Sequence, residues 1–216
     1  MSQSSFVVRR LSLISLGATL CALAACSKHD DATLSAIATP PVAAAAPAPA
    51  HVDSALPRDE EMRRFTAGLG AAPNALAGGE QSQEALVRRF IGALERRDTA
   101  AFAAMRITKP EFAYLYYPTN PIGKPPYDLS PELMYFQLEG NSAKGLGHAL
   151  EERGGRPLHY VGSACGTTQP QGENVAHLNC TIRRVQAPGD TVTESLFGAI
   201  LERHGRFKFI SYGNKL

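Results

Sequence analysis

The spacing of apolar residues changes once along this chain, from helical to alternating, and that change limits the fold more than any other feature. Leu86, Val87, Phe90, Ile91 and Leu94 recur at helical spacing with Arg88, Arg89, Glu95 and Arg96 opposite. They predict an amphipathic helix with Ser82 as its N-cap. Asp98 is placed to cap a short second helix, TAAFAAMRI, and Thr108-Lys109-Pro110-Glu111 has the form of a capping box ahead of FAYLYY. Pro118 stops that third helix. Ser130-Pro131 offers an N-cap with proline in the first turn, opening one long or kinked helix that carries Leu133, Met134, Leu138, Leu146 and Leu150 and ends at Gly154-Gly155. Residues 58–70 predict a further short helix with Met62, Phe65 and Leu69 on one side.

Beyond Gly155 the segments LHYVGSAC, AHLNCTIRRV, TVTESLFGAILER and RFKFISYG alternate as four strands, with turns at Ala187-Pro188-Gly189-Asp190 and His204-Gly205. Helices first and an antiparallel meander last make an α+β domain, its N-terminal helices packed on a curved C-terminal sheet. Residues 58–216 form this domain.

What precedes the domain has a different character. Arg9-Arg10 is followed by an apolar stretch over 11–25 that is diluted by Ser12, Ser15, Gly17 and Thr19, the layout of a signal peptide. At its end Leu23-Ala24-Ala25-Cys26 resembles the bacterial lipobox; the alternative is an ordinary signal peptide cut at a nearby small residue. The resemblance implies removal of residues 1–25, a diacylglycerol on the Cys26 sulfur, and a bacterial envelope lipoprotein held on a membrane by its acyl chains. Ser27 rather than Asp after that cysteine implies outer-membrane sorting, with the domain facing the periplasm. Residues 26–57 carry the lipidated cysteine and an Ala- and Pro-rich linker whose Pro40, Pro41, Pro47 and Pro49 exclude a continuous helix.

Export also bears on the cysteines. Of the four, Cys21 and Cys26 belong to the signal region, and Cys165 and Cys180 are left in the domain. In an oxidising compartment they predict a disulfide, joining the first two strands. With the two directly opposed, Ser163 faces Ile182 and Val161 faces Arg184. The segment between them, GTTQPQGENVAHLN, reads as too polar and Gly-rich to order itself well.

Charge narrows the partners. The chain has 22 Lys and Arg against 20 Asp and Glu; without Arg9 and Arg10, and with no acid among the first 25 residues, the two counts are equal. A near-neutral chain lacks the footprint of a nucleic-acid binder. Gly-x-Ser-x-Gly, Ser-x-x-Lys, Walker A and His-Glu-x-x-His are all missing from the sequence, and neither a metal nor a cofactor is expected.

The helix SQEALVRRFIGALERRDTAAFAAM and the closing hairpin LFGAILERHGRFKFISYG resemble the nuclear transport factor 2-like superfamily over about residues 82–213. The resemblance implies a cone-shaped cavity between helices and sheet, used by isomerases, dehydratases and many non-catalytic domains. Phe112, Tyr114, Tyr116, Tyr117, Tyr135 and Phe197 are the candidate pocket residues; the alternative for the cluster 112–117, and equally for Tyr135, is core with one ring exposed. No catalytic residue can be carried over. His148, His159, His177 and His204 have no partner at catalytic spacing. Glu194, in a strand with Val192, Leu196, Gly198 and Ile200, is either a carboxylate raised in pKa by apolar neighbours or one reaching water from a frayed strand start. The leading expectation is a domain that binds a small apolar ligand or another envelope protein; the alternative is a small-molecule isomerase or dehydratase. If the lipobox functions, Cys26→Ser abolishes incorporation of a clickable fatty acid in growing cells, and a labelled variant would refute it.

Overall fold

The structure, a computed structural model, describes residues 56–213; the signal region, Cys26 and all but the end of the linker lie outside the described residues. The chain opens with α1 (Arg58–Thr66), then α2 (Gln83–Arg96), α3 (Thr99–Met105), a single turn α4 (Lys109–Glu111) and the long α5 (Pro131–Arg153). Five strands follow: β1 (Tyr160–Gln171), β2 (Asn174–Ala187), β3 (Asp190–Glu194), β4 (Ile200–Arg203) and β5 (Arg206–Phe209). The domain is thus helices followed by an open antiparallel sheet.

The helix starts lie where side-chain chemistry puts them. Ser82, Asp98 and Ser130 accept the backbone N–H groups of Ala85, Ala101 and Leu133, each satisfying a donor that the helix itself cannot. Thr108 and Glu111 form the reciprocal capping box. Two helical expectations change. The first helix stops at Thr66, short of Gly68 and Gly70, which both take positive φ. FAYLYY is not an α-helix: Phe112–Tyr116 winds as a π-turn in which the Tyr117 N–H reaches back five residues to the Phe112 carbonyl. Through that wider turn Phe112, Ala113, Leu115 and Tyr116 are all buried.

β2 organises the sheet. One of its edges pairs with β1 over 174–184; the other is shared by β3, opposite 182–187, and β4, opposite 174–177. The polar segment expected to be poorly ordered is therefore strand on both sides of a turn at Gly172, because its backbone joins the ladder whatever its side chains. Cys165 and Cys180 face each other and are joined by a disulfide. A loop of this size contributes on the order of 3 kcal/mol in the chain-entropy model. Ser163 faces Ile182, but a bulge between Tyr160 and Gly162 puts Tyr160, not Val161, opposite Arg184. The span 191–203 is two strands rather than one.

Apolar contacts fall into two clusters. In the first, Phe90 of α2 lies 5.4 Å from Phe102, 5.2 Å from Phe197 and 5.4 Å from Phe209, centroid to centroid. The second gathers Phe65, Ile107, Phe112, Met134 and Leu201. Ile200 and Leu201 are both fully buried, one in each cluster, so β4 is covered on both faces. The outer edge of β5 is covered as well, by bridges from Glu80 and Arg106. At Gly145 the Tyr212 carbonyl occupies the place a Cβ would take, so α5 and the C-terminal segment meet backbone to backbone.

Glu111 has a second role that its place in a capping box conceals. Its carboxylate accepts from the Thr108 and Ala77 N–H groups and lies 2.8 Å from Lys208 Nζ of β5, with 2% and 3% of the two side chains exposed. Removing one member of such a pair leaves a buried charge uncompensated and costs about 3–5 kcal/mol. Glu111→Gln and Lys208→Met should each lower stability on that order, and the double variant should lose less than their sum. Urea unfolding midpoints of the three proteins check this; strict additivity would show the pair to be uncoupled.

Candidate functional site

Since β3 ends at Glu194 opposite Ile182 and β4 begins at Ile200 opposite His177, residues 178–181 of β2 face no strand on that edge. The five residues 195–199 turn inward there and bury Leu196 and Phe197 in the core. Gly198 permits the turn: a Cβ on it would lie 2.7 Å from the Gly213 carbonyl and 2.9 Å from that of Ser211. The Gly198 N–H instead donates to the Ser211 carbonyl at 3.1 Å.

This interruption opens a cleft of about 630 Å³ between the sheet and one face of α5. Met134, Gln137, Leu138 and Asn141 come from α5, and Leu178, Asn179 and Cys180 from β2. The 195–199 turn, the C-terminal Ser211 and Gly213, and Ile122 and Leu129 of the preceding loop complete the wall. Asn179 adopts positive φ in the middle of the strand, a conformation asparagine tolerates better than most residues. Of the fifteen lining residues none carries an ionisable side chain, and Cys180 is held in the disulfide. Amides, hydroxyls and the free edge of β2 are the polar groups on offer, between aliphatic side chains.

The six candidate pocket residues disperse. Phe197 lines this cleft. Phe112 and Tyr116 are core residues, and burial pushes the Tyr116 phenol up to about 12 against the opposing hydrogen bond with Asn120. Tyr114 packs half-buried against the second cluster. Tyr135 packs on Phe65 and Phe112, its phenol pushed up to about 12 by burial and by Glu139. Tyr117 lines a separate cleft of about 310 Å³ beside Arg58, Met62 and Lys124; its hydroxyl accepts from Arg58 at 2.7 Å and donates to the Leu129 carbonyl at 2.8 Å. Leu138 reads in the sequence only as part of the apolar side of the long helix, and Leu178 and Asn179 only as strand, because nothing local distinguishes a cleft wall from core.

The ionisable candidates lie elsewhere. His177, read as unpartnered, has its Nε2 2.9 Å from the Glu202 carboxylate, a pair made by strands whose neighbourhood only the sheet reveals. Neither residue is among those lining the cleft. His204 is at the β4–β5 turn, 3.9 Å from Glu173. Among the described residues no group of three or more His, Cys, Asp or Glu is arranged to hold a metal, and no helix is long and apolar enough to cross a membrane. Set against protein-family models, curated proteins and solved structures, the chain matches none.

Glu194 corrects both readings made of it. Its carboxylate is bound by Arg153 of α5, at 2.7 Å, and by Arg184 of β2. Partial burial alone would raise its pKa, but the hydrogen bonds from Arg153 and Arg184 outweigh that and hold it below the ordinary 4.5. A carboxyl with a depressed folded-state pKa contributes stability that is present above its unfolded value and lost as pH falls through the folded one. The stability gap between the native protein and Glu194→Gln should therefore be widest at neutral pH and narrow below pH 4.5. Urea midpoints across the acid range would show it, and a gap independent of pH would contradict the pairing.

Proposed function

We propose that the protein is a lipid-anchored envelope component whose domain holds a small, uncharged and largely apolar molecule in the cleft between α5 and the sheet. The carrying observation is the composition of that wall: aliphatic side chains with a few amides and hydroxyls and no ionisable side chain. Such a lining desolvates an apolar ligand and orients it through one or two hydrogen bonds, whereas general acid-base chemistry needs a titratable group within reach of the reacting atom. The isomerase or dehydratase alternative would require such a group, and the His177–Glu202 pair lies outside the lining. The order of elements, with a cleft between the last helix and a sheet, supports the nuclear transport factor 2-like reading of the domain. The lipobox residues Leu23-Ala24-Ala25-Cys26 and the linker after them support an envelope location, at the outer membrane and facing the periplasm.

An uncharged fluorescent naphthylamine probe should bind the domain and be displaced by the natural ligand, which native mass spectrometry of protein taken from its own membranes would show as a retained mass. Leu138→Asn should weaken probe binding about tenfold, the effect of losing roughly 1.4 kcal/mol of apolar contact. His177→Ala and Glu194→Gln should leave binding unchanged in folded protein. Equal binding by the Leu138 variant would place the ligand elsewhere, and a folded His177→Ala variant that reproduced the full phenotype of deleting the gene would favour catalysis.

A further inference from the structure

Among the described residues six large apolar side chains stand well out into solvent, and five of them belong to the segments assembled around the start of the domain: Leu56, Ile122, Tyr127, Leu133 and Phe136. Leu56 immediately precedes α1, Ile122 and Tyr127 lie on the loop before α5, and Leu133 and Phe136 lie on the first two turns of α5. Arg58 ties the start of α1 to this loop, donating to the Gly123 carbonyl, the Asp128 carboxylate and the Tyr117 hydroxyl, and Phe65 of α1 packs on Tyr135 of α5. The loop closes on itself through the Leu129 N–H and the Ile122 carbonyl at 3.1 Å. The two aromatic rings are the most exposed of the set, Phe136 at 72% and Tyr127 at 66%. Single exposed apolar residues are ordinary on a protein surface; several gathered at one end mark a contact.

We infer that this end of the domain rests on a lipid surface, with the Phe136 and Tyr127 side chains at the level of the headgroups. The inference rests on the lipid-anchor reading for where the membrane is, and the path of the chain selects the occupant. Twenty-nine residues, 27–55, separate the lipidated cysteine from Leu56, and at roughly 3.5 Å per residue they reach at most about 100 Å even when fully extended. They join the domain within the apolar patch, so the patch is the part of the domain closest along the chain to the bilayer. A tether of that length keeps it at high local concentration there, so that a weak contact suffices. Aromatic rings with an apolar body suit the headgroup boundary. On α1, the loop and the first turns of α5 the bases Arg58, Arg63, Arg64 and Lys124 are balanced by the acids Asp59, Glu60, Glu61, Asp128 and Glu132, so attraction comes from apolar burial and not from a basic patch, and binding should be insensitive to salt and to anionic lipid.

The chain contains no tryptophan, which makes Phe136→Trp a lone fluorescent reporter at an exposed position. In lipidated full-length protein reconstituted into phosphatidylethanolamine and phosphatidylglycerol vesicles, its emission should move to shorter wavelength and be quenched by brominated acyl chains, at low and high salt alike. Val161→Trp, at an exposed apolar residue on β1, should stay in water. Unshifted, unquenched emission from the Phe136→Trp variant, in protein that carries fatty-acid label, would overturn the membrane contact while leaving the anchor intact. Quenching of Cys26→Ser, Phe136→Trp protein by added vesicles would uphold the contact even if labelling of Cys26 failed. A blue shift in vesicle-free solution that grows with protein concentration would assign the patch to a second copy and overturn the inference, as would loss of the quenching at high salt.

Discussion

The buried pair of Glu111 and Lys208 is the contact on which the domain's two halves converge. Two fully enclosed opposite charges are costly to desolvate, and they are tolerated because each is saturated: the carboxylate by the Thr108 and Ala77 N–H groups, the ammonium by that carboxylate and the Ala77 carbonyl. The one carboxylate therefore starts the helical turn that leads into the π-turn, pins the segment before α2, and fixes the last strand. Since β5 pairs with β4 and β4 with β2, this pair joins the Glu80 and Arg106 bridges and the Phe90 cluster in placing the sheet relative to the helices. An apolar substitute would pack there, but it would not dictate which turn faces which strand.

That placement has consequences for the cleft. With β4 held at one half of the β2 edge and β3 extending the hairpin at the other, the five residues between them cannot continue as strand. They fold inward at Leu196 and Phe197, where the aromatic cluster around Phe90 receives them. A length of β2 is thereby left with a free backbone edge beneath α5. α5 itself is held by backbone contact at Gly145 and by the Arg153–Glu194 ion pair. Cleft and core thus share their supporting residues, so substitutions in the wall have to be checked for folding before they are read as binding.

The exposed apolar end and the cleft meet at Ile122, which belongs to both. A domain that sits on a bilayer through this end would bring the mouth of an apolar cleft near the lipid, a route by which a poorly soluble ligand could enter without crossing water. The near-balance of 22 Lys and Arg against 20 Asp and Glu fits such a role, since neither steering of charged ligands nor counterion release is called upon.

Much of the fold is legible in the sequence because it depends on interactions a few residues long. Ser82, Asp98, Thr108 with Glu111, and Ser130 with Pro131 name the helix starts; the change of period names the sheet; Cys165 and Cys180 name the register of its first hairpin. A cap needs only its own turn, and a hydrophobic period needs only one face. The remainder is set by partners distant in the chain. Lys208 is an ordinary strand lysine until Glu111 is brought beside it from 97 residues away, and His177 has no partner until β4 supplies Glu202. The polar stretch around Gly172 becomes strand because backbone ladders do not depend on side-chain polarity, and the 191–203 segment breaks because its two halves find different parts of β2. Of the aromatic candidates Phe112 and Tyr116 became core and Phe197 came to line the cleft, whose wall is otherwise built largely from ordinary Leu, Asn and Ser. Sequence determined which elements form, since that is local free energy; tertiary structure alone decided which faces stay open, since a cavity is whatever the packing of distant elements leaves unfilled.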